Sequence, residues 1–173
     1  GVGSGEHHGA GRRRKRLGKN DAPFNERLNG VEWGEFRRDE LFTCLTVRHK
    51  LSKEATSSEG CFPVYSSETT NNGIIGYTDN PEFVCDNDCP IYVNFGDHTR
   101  TFNIATTSFS VQDNVKVLCP TINNISALIF VLSSWQKQIP NLGYSRHWKI
   151  AKDCYIPLPV TPSHEIDFAF MEN

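Results

Sequence analysis

Two short polar segments contain most of the side chains that could do chemistry. Residues 96–100, with the sequence GDHTR, follow an apolar run, and residues 144–149 read YSRHWK. Asp97 and His98, together with Asp113, could perform acid–base or metal-assisted chemistry. No second carboxylate and lysine follow at the spacing of a nuclease site, so we expect no catalytic residues. The alternative is a polar loop whose side chains contact a partner or one another.

The sequence lacks the motifs of common cofactor-dependent enzymes. It contains no Gly-rich phosphate loop, HExxH or GxSxG motif. Residues 79–83 (DNPEF) resemble the Asn/Asp-Pro-Pro-aromatic loop of amino-methyltransferases, but Glu82 stands where the second proline belongs. Because no Gly-rich cofactor loop precedes this segment, we interpret it as a turn and expect no bound cofactor.

The six cysteines are too few and too scattered for a disulfide-rich scaffold. The spacing of Cys85 and Cys89 could hold a metal, yet no further pair of Cys or His follows at zinc spacing. The alternative to zinc is a set of buried free thiols, which are common in intracellular cores. We therefore predict no metal site.

The length of 173 residues is typical of one globular domain. No apolar run approaches the roughly 18 to 20 residues that a membrane span needs. The first residues also lack the apolar core of a secretion signal. The sequence therefore predicts a soluble cytoplasmic protein with no membrane partner.

The net charge of −2 conceals an uneven distribution along the chain. Six basic residues and one acidic residue give residues 1–20 a charge of +5, whereas residues 54–90 carry seven acidic residues and no Lys or Arg. Six basic and two acidic residues give residues 91–152 a charge of +4. A polyanionic partner would therefore meet the first twenty residues and the stretch 91–152.

The N-terminal residues are Gly-rich and polar and have no hydrophobic periodicity. They predict a disordered basic tail over 1–22, followed by one domain over 23–173. The run from Arg12 to Arg16 could lie along phosphates, or it could be a solvated linker.

The middle of the chain is rich in predicted strands. Short runs of alternating or β-branched and aromatic residues predict strands at 31–36, 62–65, 74–77, 91–95, 102–105, 109–111 and 115–118. Residues 71–73 (Asn-Asn-Gly) tolerate positive φ and predict a turn. Pro157 and Pro159 lack backbone donors and restrict residues 156–159 to an extended edge.

Three segments have helical character. Residues 125–138 are apolar enough to form a mostly buried helix, which Pro140 ends. Residues 39–42 predict a short helical turn. Residues 167–172 predict the start of a helix with an acid in its first turn.

In their order and spacing, several segments resemble the target-recognition domain of a restriction-modification specificity (S) subunit, as in the type I S-subunit family and its relatives. The first half matches at residues 31–36, 41–42 and 71–77. The second half matches at residues 95–100, 113–118, 144–148, 156–159 and 166–172.

The resemblance implies an α+β fold: a single target-recognition domain with a curved, mostly antiparallel β region, packed helices and the start of a spacer helix at the C-terminus. It implies a non-catalytic module that recognises double-stranded DNA by sequence. In the family, two such domains read the halves of a split site, and methyltransferase and restriction endonuclease subunits are the partners. Since only one recognition domain fits here, we expect a half-subunit, an excised domain or a single domain attached to a partner.

Given the resemblance, the polar segments become candidates for DNA contacts. Arg and Lys recognise guanine, Asn and Gln recognise adenine, and Asp and Glu recognise cytosine. Arg100 is the first choice for a base or phosphate contact, unless it pairs with Asp97 within its loop. Arg146 and Lys149 could hold phosphates. The complete set of candidate DNA-binding residues is Ser67, Asn71, Asp97, His98, Thr99, Arg100, Tyr144, Arg146, His147 and Lys149.

Two assignments have open alternatives. Trp148 belongs to the core or to the contact surface, and tryptophan is more often buried. Asn71 and Asn72 could read adenine or serve as ordinary turn residues. The acidic stretch 54–90 is expected to face away from DNA or toward a basic partner protein.

Two other functions fit the same residues. The domain could be the C-terminal recognition part of a fused methyltransferase-nuclease, which an upstream cofactor loop and Asn-Pro-Pro-aromatic motif would establish. It could instead be a protein-interaction module that has lost DNA binding. In that case, replacing Arg100 and Arg146 by Ala would leave DNA affinity and its salt dependence unchanged.

Overall fold

The computed structural model describes residues 23–172. The chain divides into two compact units, and the boundary in the sequence lies between Val31 and Glu32. The first unit contains the described helix α1 (Pro23–Asn29), which the sequence analysis did not predict. The predicted disordered tail, 1–22, lies outside the described residues, and a domain boundary at residue 23 stays a prediction. Within the described residues, no helix is long and apolar enough to cross a membrane.

A four-stranded antiparallel sheet lies at the centre of the second unit. Its strands, in spatial order, are β2 (Phe42–Leu45), β8 (Val115–Pro120), β5 (Tyr92–Gly96) and β6 (Thr101–Ala105). Side chains along a strand alternate between the two faces of a sheet. The two faces of β5 and β8 are therefore buried in two separate cores.

One core lies between this sheet, a helix and a second, smaller sheet. The helix is α3 (Ile125–Gln138), and the smaller sheet pairs β1 (Glu32–Arg37) with β9 (Tyr155–Val160). Val93, Phe95 and Leu118 of the central sheet join Leu128, Trp135, Ile156 and Leu158 in this core, and all seven are essentially unexposed. The predicted helix and the predicted proline-containing edge strand are confirmed, but α3 is buried along one face only, because Ile125 and Ile129 are exposed.

The other core lies between the central sheet and a three-stranded sheet. This sheet has the order β4 (Ile74–Thr78), β3 (Phe62–Tyr65) and β7 (Ser110–Val111), and β3 pairs with β7 in parallel. Aromatic rings fill the space, and the ring centroids of Phe83 and Phe109 lie 5.1 Å apart. The predicted strands are confirmed, and the mixed, mostly antiparallel α+β architecture agrees with the predicted fold class.

Local signals in the sequence explain most element boundaries. The side chain of Asn124 accepts a hydrogen bond from the backbone N–H of Ala127 and so caps α3. The turn before β4 (Asn71–Gly73) has φ angles of 50°, 53° and 76°, as its Asn-Asn-Gly sequence predicts. The remaining helices are the short α2 (Arg38–Leu41), α4 (Trp148–Ala151) and α5 (Phe168–Glu172), and Lys53–Ala55 forms a 3-10 turn.

Two local predictions were wrong. Phe42 does not continue the predicted helical turn but begins β2, because residues 42–45 pair with β8. Cys89 and Cys119 are not free thiols but form a disulfide across 30 residues of sequence. Cys44 and Cys61 are free but exposed rather than buried. The pairing of β2 with β8 and the disulfide each join segments that are distant in the sequence, and no local sequence pattern encodes such contacts.

Candidate nucleic-acid interface

The segments GDHTR and YSRHWK meet at the end of β5, where Asp97 joins them. The side chain of Asp97 is 2% exposed. Its Oδ1 accepts a hydrogen bond from the backbone N–H of Trp148 at 2.7 Å, and its Oδ2 lies 3.4 Å from Nη1 of Arg146. The two segments are 50 residues apart in the sequence, yet they form one polar structure.

His147 completes this junction from inside the protein. The residue is 0% exposed. The backbone N–H of Leu142 donates to its Nε2 at 3.1 Å, so Nδ1 carries the proton and donates to the carbonyl oxygen of Asp97 at 2.9 Å. Both side chains are buried by protein partners, and this burial does not favour the predicted contacts of Asp97 and His147 with DNA.

Arg100 also differs from its predicted role. It has a φ of 52°, and its guanidinium donates to the carbonyl oxygen of Ile139 at 2.6 Å, just after α3 ends. The amide of Gln136 donates in return to the carbonyl oxygen of Arg100 at 2.8 Å. The predicted alternative, a pair with Asp97, is also wrong because Asp97 pairs with Arg146. Arg100 instead ties its loop to the C-terminal end of α3, where a cation is favourable.

A polar concavity opens beside this junction, and we call it the recognition cleft. Its volume is about 390 Å³. It lies among four loops that are distant in sequence. The residues that line it are Ser66, Ser67, Glu68, Thr69, Thr70, His98, Thr99, Gln112, Asp113, Asn114 and Tyr144. Of the predicted contact residues, Ser67, His98, Thr99 and Tyr144 line it.

An exposed aromatic stack forms one wall of the recognition cleft. The rings of His98 and Tyr144 lie parallel, with centroids 4.5 Å apart and an interplanar angle of 6°. Tyr144 is 88% exposed, although aromatic side chains usually bury their surface. Nδ1 of His98 lies 3.3 Å from the carbonyl oxygen of Ser145. The stack therefore presents a flat, partly apolar face to whatever enters the cleft.

Hydrogen bonds hold the other walls in place. The hydroxyl of Ser67 donates to the carbonyl oxygen of Asn114 at 2.7 Å, and the hydroxyl of Thr99 donates to the carbonyl oxygen of Ser67 at 2.8 Å. These contacts tie three of the loops together. Since the hydroxyl hydrogens of Ser67 and Thr99 are used within the protein, their remaining capacity toward a ligand is as acceptors.

Asn71 lies outside the recognition cleft. Its side-chain amide donates to the carbonyl oxygen of Ile74 at 3.0 Å, and its φ is positive. The structure thus gives Asn71 the turn role that the sequence analysis held open as an alternative. Asn71 lines a different concavity, together with Ile74, Ile75 and Tyr77 among other residues.

Two cations flank the recognition cleft. Nζ of Lys50 lies 2.7 Å from Oδ1 of Asp113, and Arg146 is exposed beside Asp97. The hydrogen bond from Lys50 lowers the pKa of Asp113, and the positive charges of Lys50 and Arg146 lower this pKa further. Lys149 is also exposed, in α4. Asp113 and Asp97 therefore balance the charges of Lys50 and Arg146, and Lys149 adds a further positive charge.

Sequence reasoning missed part of the cleft. Gln112 and Asn114 follow β7, and the parallel pairing of β7 with β3 brings them to the Ser67 loop. A local signal was present in the Asp113-Asn114 turn, where Asn114 adopts a φ of 65°. Lys50 reaches the site because residues 50 and 111 form a bridge beyond the named strands.

The described residues do not bring potential metal ligands together. Among residues 23–172, no three His, Cys, Asp or Glu side chains converge as a metal site would require. Cys89, one half of the Cys85-x3-Cys89 pair, is bonded to Cys119. The segment 79–83 is a connection in which Glu82 accepts hydrogen bonds from the backbone N–H groups of Arg48 and His49.

A comparison with models of known protein families identifies the family of this chain. The model of the family described as "Type I restriction modification DNA specificity domain" matches residues 30–173. The chain belongs to this family. Among curated proteins, no sequence matched the chain closely enough to count as a relative. The family match covers the whole second unit, including every segment of the recognition cleft.

One of two similar solved structures supports the fold of this chain. The S subunit of a type I restriction-modification system from M. genitalium superposes with a TM-score of 0.57 at 16% identity, over 76% of this chain and 35% of that one. The HsdS subunit from Thermoanaerobacter tengcongensis gives a TM-score of 0.46 at 16% identity, over 73% and 33% of the two chains. The specificity domain thus spans about a third of the length of these S subunits.

Proposed function

We propose that this specificity domain reads one half of a split site in double-stranded DNA through the recognition cleft. One observation carries the proposal: the fold gathers four sequence-distant polar loops around the exposed stack of His98 and Tyr144. Base edges in the major groove differ in their donors, their acceptors and the methyl group of thymine. Several polar side chains and an aromatic stack, held on a rigid frame, can distinguish such edges.

The flanking cations supply the part of binding that does not depend on sequence. Arg146 and Lys149 are exposed on one side of the Asp97 junction, and Lys50 lies on the other side beside Asp113. Contacts of Lys and Arg with phosphates fix the position of a protein on the duplex. Because these cations are few, the domain alone binds DNA weakly and depends on partner subunits for affinity.

The proposal includes a division of labour among subunits. The domain has no catalysis of its own and directs methyltransferase subunits and a restriction endonuclease subunit to the site, in the cytoplasm. A second recognition domain reads the other half-site. The membership of the specificity-domain family supports this arrangement.

Selection from a randomised duplex library tests the proposal. The full chain is incubated with the library at near-physiological salt, with and without methyltransferase subunits, and bound duplexes are sequenced. We expect enrichment of one short half-site. The enriched duplex is neither methylated nor cut by the chain alone in the presence of a methyl donor and Mg²⁺. Recovery of no enriched sequence under either condition would overturn sequence recognition, and modification by the chain alone would overturn the non-catalytic role.

A further inference from the structure

We infer that the recognition cleft reads a base with an exocyclic amino group, either adenine or cytosine, and that Glu68 is the residue that accepts the hydrogen bond. This inference rests on the proposed function and specifies what the cleft selects. The argument depends on which cleft groups already have partners and which are free.

Glu68 has the free carboxylate of the recognition cleft. Two carboxylates line the cleft, and that of Asp113 is paired with Lys50 at 2.7 Å. The carboxylate of Glu68 has no hydrogen bond or ion pair among the residues whose side chains the structure describes, 26–172. Its backbone, by contrast, is held, because its N–H donates to the hydroxyl of the buried Ser66 at 3.1 Å. Glu68 therefore presents an exposed, unpaired carboxylate from a backbone that is held in place.

The donors that would favour guanine are absent from the lining. No Lys or Arg is among the described residues that line the cleft. The guanidinium of Arg100 is turned to the carbonyl oxygen of Ile139, and that of Arg146 lies against Asp97. Guanine presents two acceptors, N7 and O6, in the major groove and is usually read by Arg or Lys. A carboxylate would repel that edge.

A second acceptor of the cleft also lacks a partner. Oδ1 of Asn114 is buried and makes no hydrogen bond to any described residue. A buried polar atom without a partner is unfavourable, so a donor that enters the cleft would stabilise it. The side chain of Gln112, on the same loop, is likewise unbonded among the described residues. Glu68 and Asn114 therefore supply free acceptors that match an amino group, and the amide of Gln112 can both accept and donate.

The chemistry of the bases then limits the choice. A carboxylate only accepts hydrogen bonds. In the major groove, the amino donors are N6 of adenine and N4 of cytosine, whereas thymine offers an acceptor and a methyl group. A carboxylate also repels phosphates, so Glu68 opposes general DNA affinity. Its presence at a DNA-facing cleft is explained if it discriminates among bases.

The test compares Glu68→Ala with the matched control Glu59→Ala in library selection with the full chain. Glu59 is exposed, and its carboxylate lies outside the cleft. We expect wild type and E59A to enrich the same half-site. E68A should lose about a tenfold preference at one base pair and keep the preferences at the other base pairs. Its affinity for random duplex should be unchanged or higher.

Base analogues identify the group that is read. At the affected position, adenine is replaced by purine or cytosine by 2-pyrimidinone, each of which lacks the amino group. Wild type should lose the same factor that E68A loses, and E68A should lose nothing more. Every base pair carries one such amino group, N6 of adenine or N4 of cytosine, so the analogues and not the selected pair identify the contact. Unchanged preferences in E68A, or analogues without the amino group that leave binding by wild type unaffected, would overturn the inference while the proposed function stands. If wild type enriches no sequence, the proposed function fails and the inference fails with it.

Discussion

The Oδ1 atom of Asp97 accepts a hydrogen bond from the backbone N–H of Trp148 at 2.7 Å, across 51 residues of sequence. The carbonyl oxygen of Asp97 also accepts from both the backbone N–H and the ring of His147. One residue thus fixes the loop after β5 against the segment that carries Tyr144 and Arg146. The shape of the recognition cleft depends on this junction.

Replacing Asp97 by Ala should therefore destabilise the domain. The substitution removes a buried charged acceptor and leaves the Trp148 N–H without its partner. We expect the free energy of unfolding to fall by about 2 to 3 kcal/mol in urea titration. Asp113→Ala is the matched control, because Asp113 forms an exposed pair and should cost less than about 1 kcal/mol. Equal losses for the two variants would contradict the structural role of Asp97.

Arg100→Ala should affect stability and not DNA binding. Its guanidinium donates to the carbonyl oxygen of Ile139 at 2.6 Å, so removal should cost about 1 to 2 kcal/mol of unfolding free energy. The dependence of DNA affinity on salt concentration should stay as in wild type. A shallower salt dependence with unchanged stability would show instead that Arg100 contacts phosphate.

Arg146 and Lys149 should contribute to the salt dependence of DNA binding. Each contact with a phosphate releases counterions, so R146A and K149A should each reduce the slope of log K against log salt by about 1. Lys137→Ala, on α3 and outside the cleft, is the control and should leave the slope unchanged. Fluorescence anisotropy with one labelled duplex at several salt concentrations measures the slope. Equal slopes for all three variants and wild type would remove these cations from the interface.

Tyr144→Ala should weaken specific binding without unfolding the domain. Tyr144 is 88% exposed, so the free energy of unfolding should change by less than about 0.5 kcal/mol. Loss of an aromatic contact at the centre of an interface should weaken binding about tenfold. Tyr155→Ala is the control, since Tyr155 is 56% exposed on β9 and does not line the cleft. If both variants bind the enriched duplex like wild type, the aromatic stack is not part of the interface.

Asp113 should titrate below the ordinary range of an aspartate. The hydrogen bond from Lys50 and nearby positive charge lower its pKa in the folded protein. The stabilisation by this pair is therefore present above the unfolded pKa and is lost as the pH falls through the folded pKa. NMR titration of the side-chain carboxyl should give a low midpoint, and Lys50→Met should raise it. A midpoint that does not respond to Lys50→Met would contradict the pairing.

Local sequence patterns predicted much of the fold. Residues 125–138 form the predicted helix with the predicted bounds, because its apolar character, its Asn cap and the following proline act locally. The strand at 62–65 and the turn at 71–73 were predicted for the same reason. Strand β2 (Phe42–Leu45) was not predicted, because its partner β8 lies about 75 residues further along the chain. In addition, Thr43 and Cys44 of this strand are exposed.

The candidate site could be predicted only in part. Ser67, His98, Thr99 and Tyr144 were predicted as contacts and do line one cleft. Their use as DNA contacts stays a proposal. Asp97 and His147 are polar residues in polar segments, and their burial follows from hydrogen bonds between distant loops. Gln112 and Asn114 were not singled out, because strand pairing alone brings their loop to that of Ser67. Glu68 was not singled out, because the acidic stretch 54–90 was expected to face away from DNA.

Amide hydrogen exchange of the full chain, with and without the enriched duplex, tests the central claim most directly. If DNA occupies the recognition cleft, protection should increase at residues 66–70, 98–99, 112–114 and 144–146, and a scrambled duplex should protect them less. The acidic residues 78–90 should exchange equally in both states, because like charge keeps them away from phosphates. Protection confined to 78–90, with none at the cleft, would contradict the account.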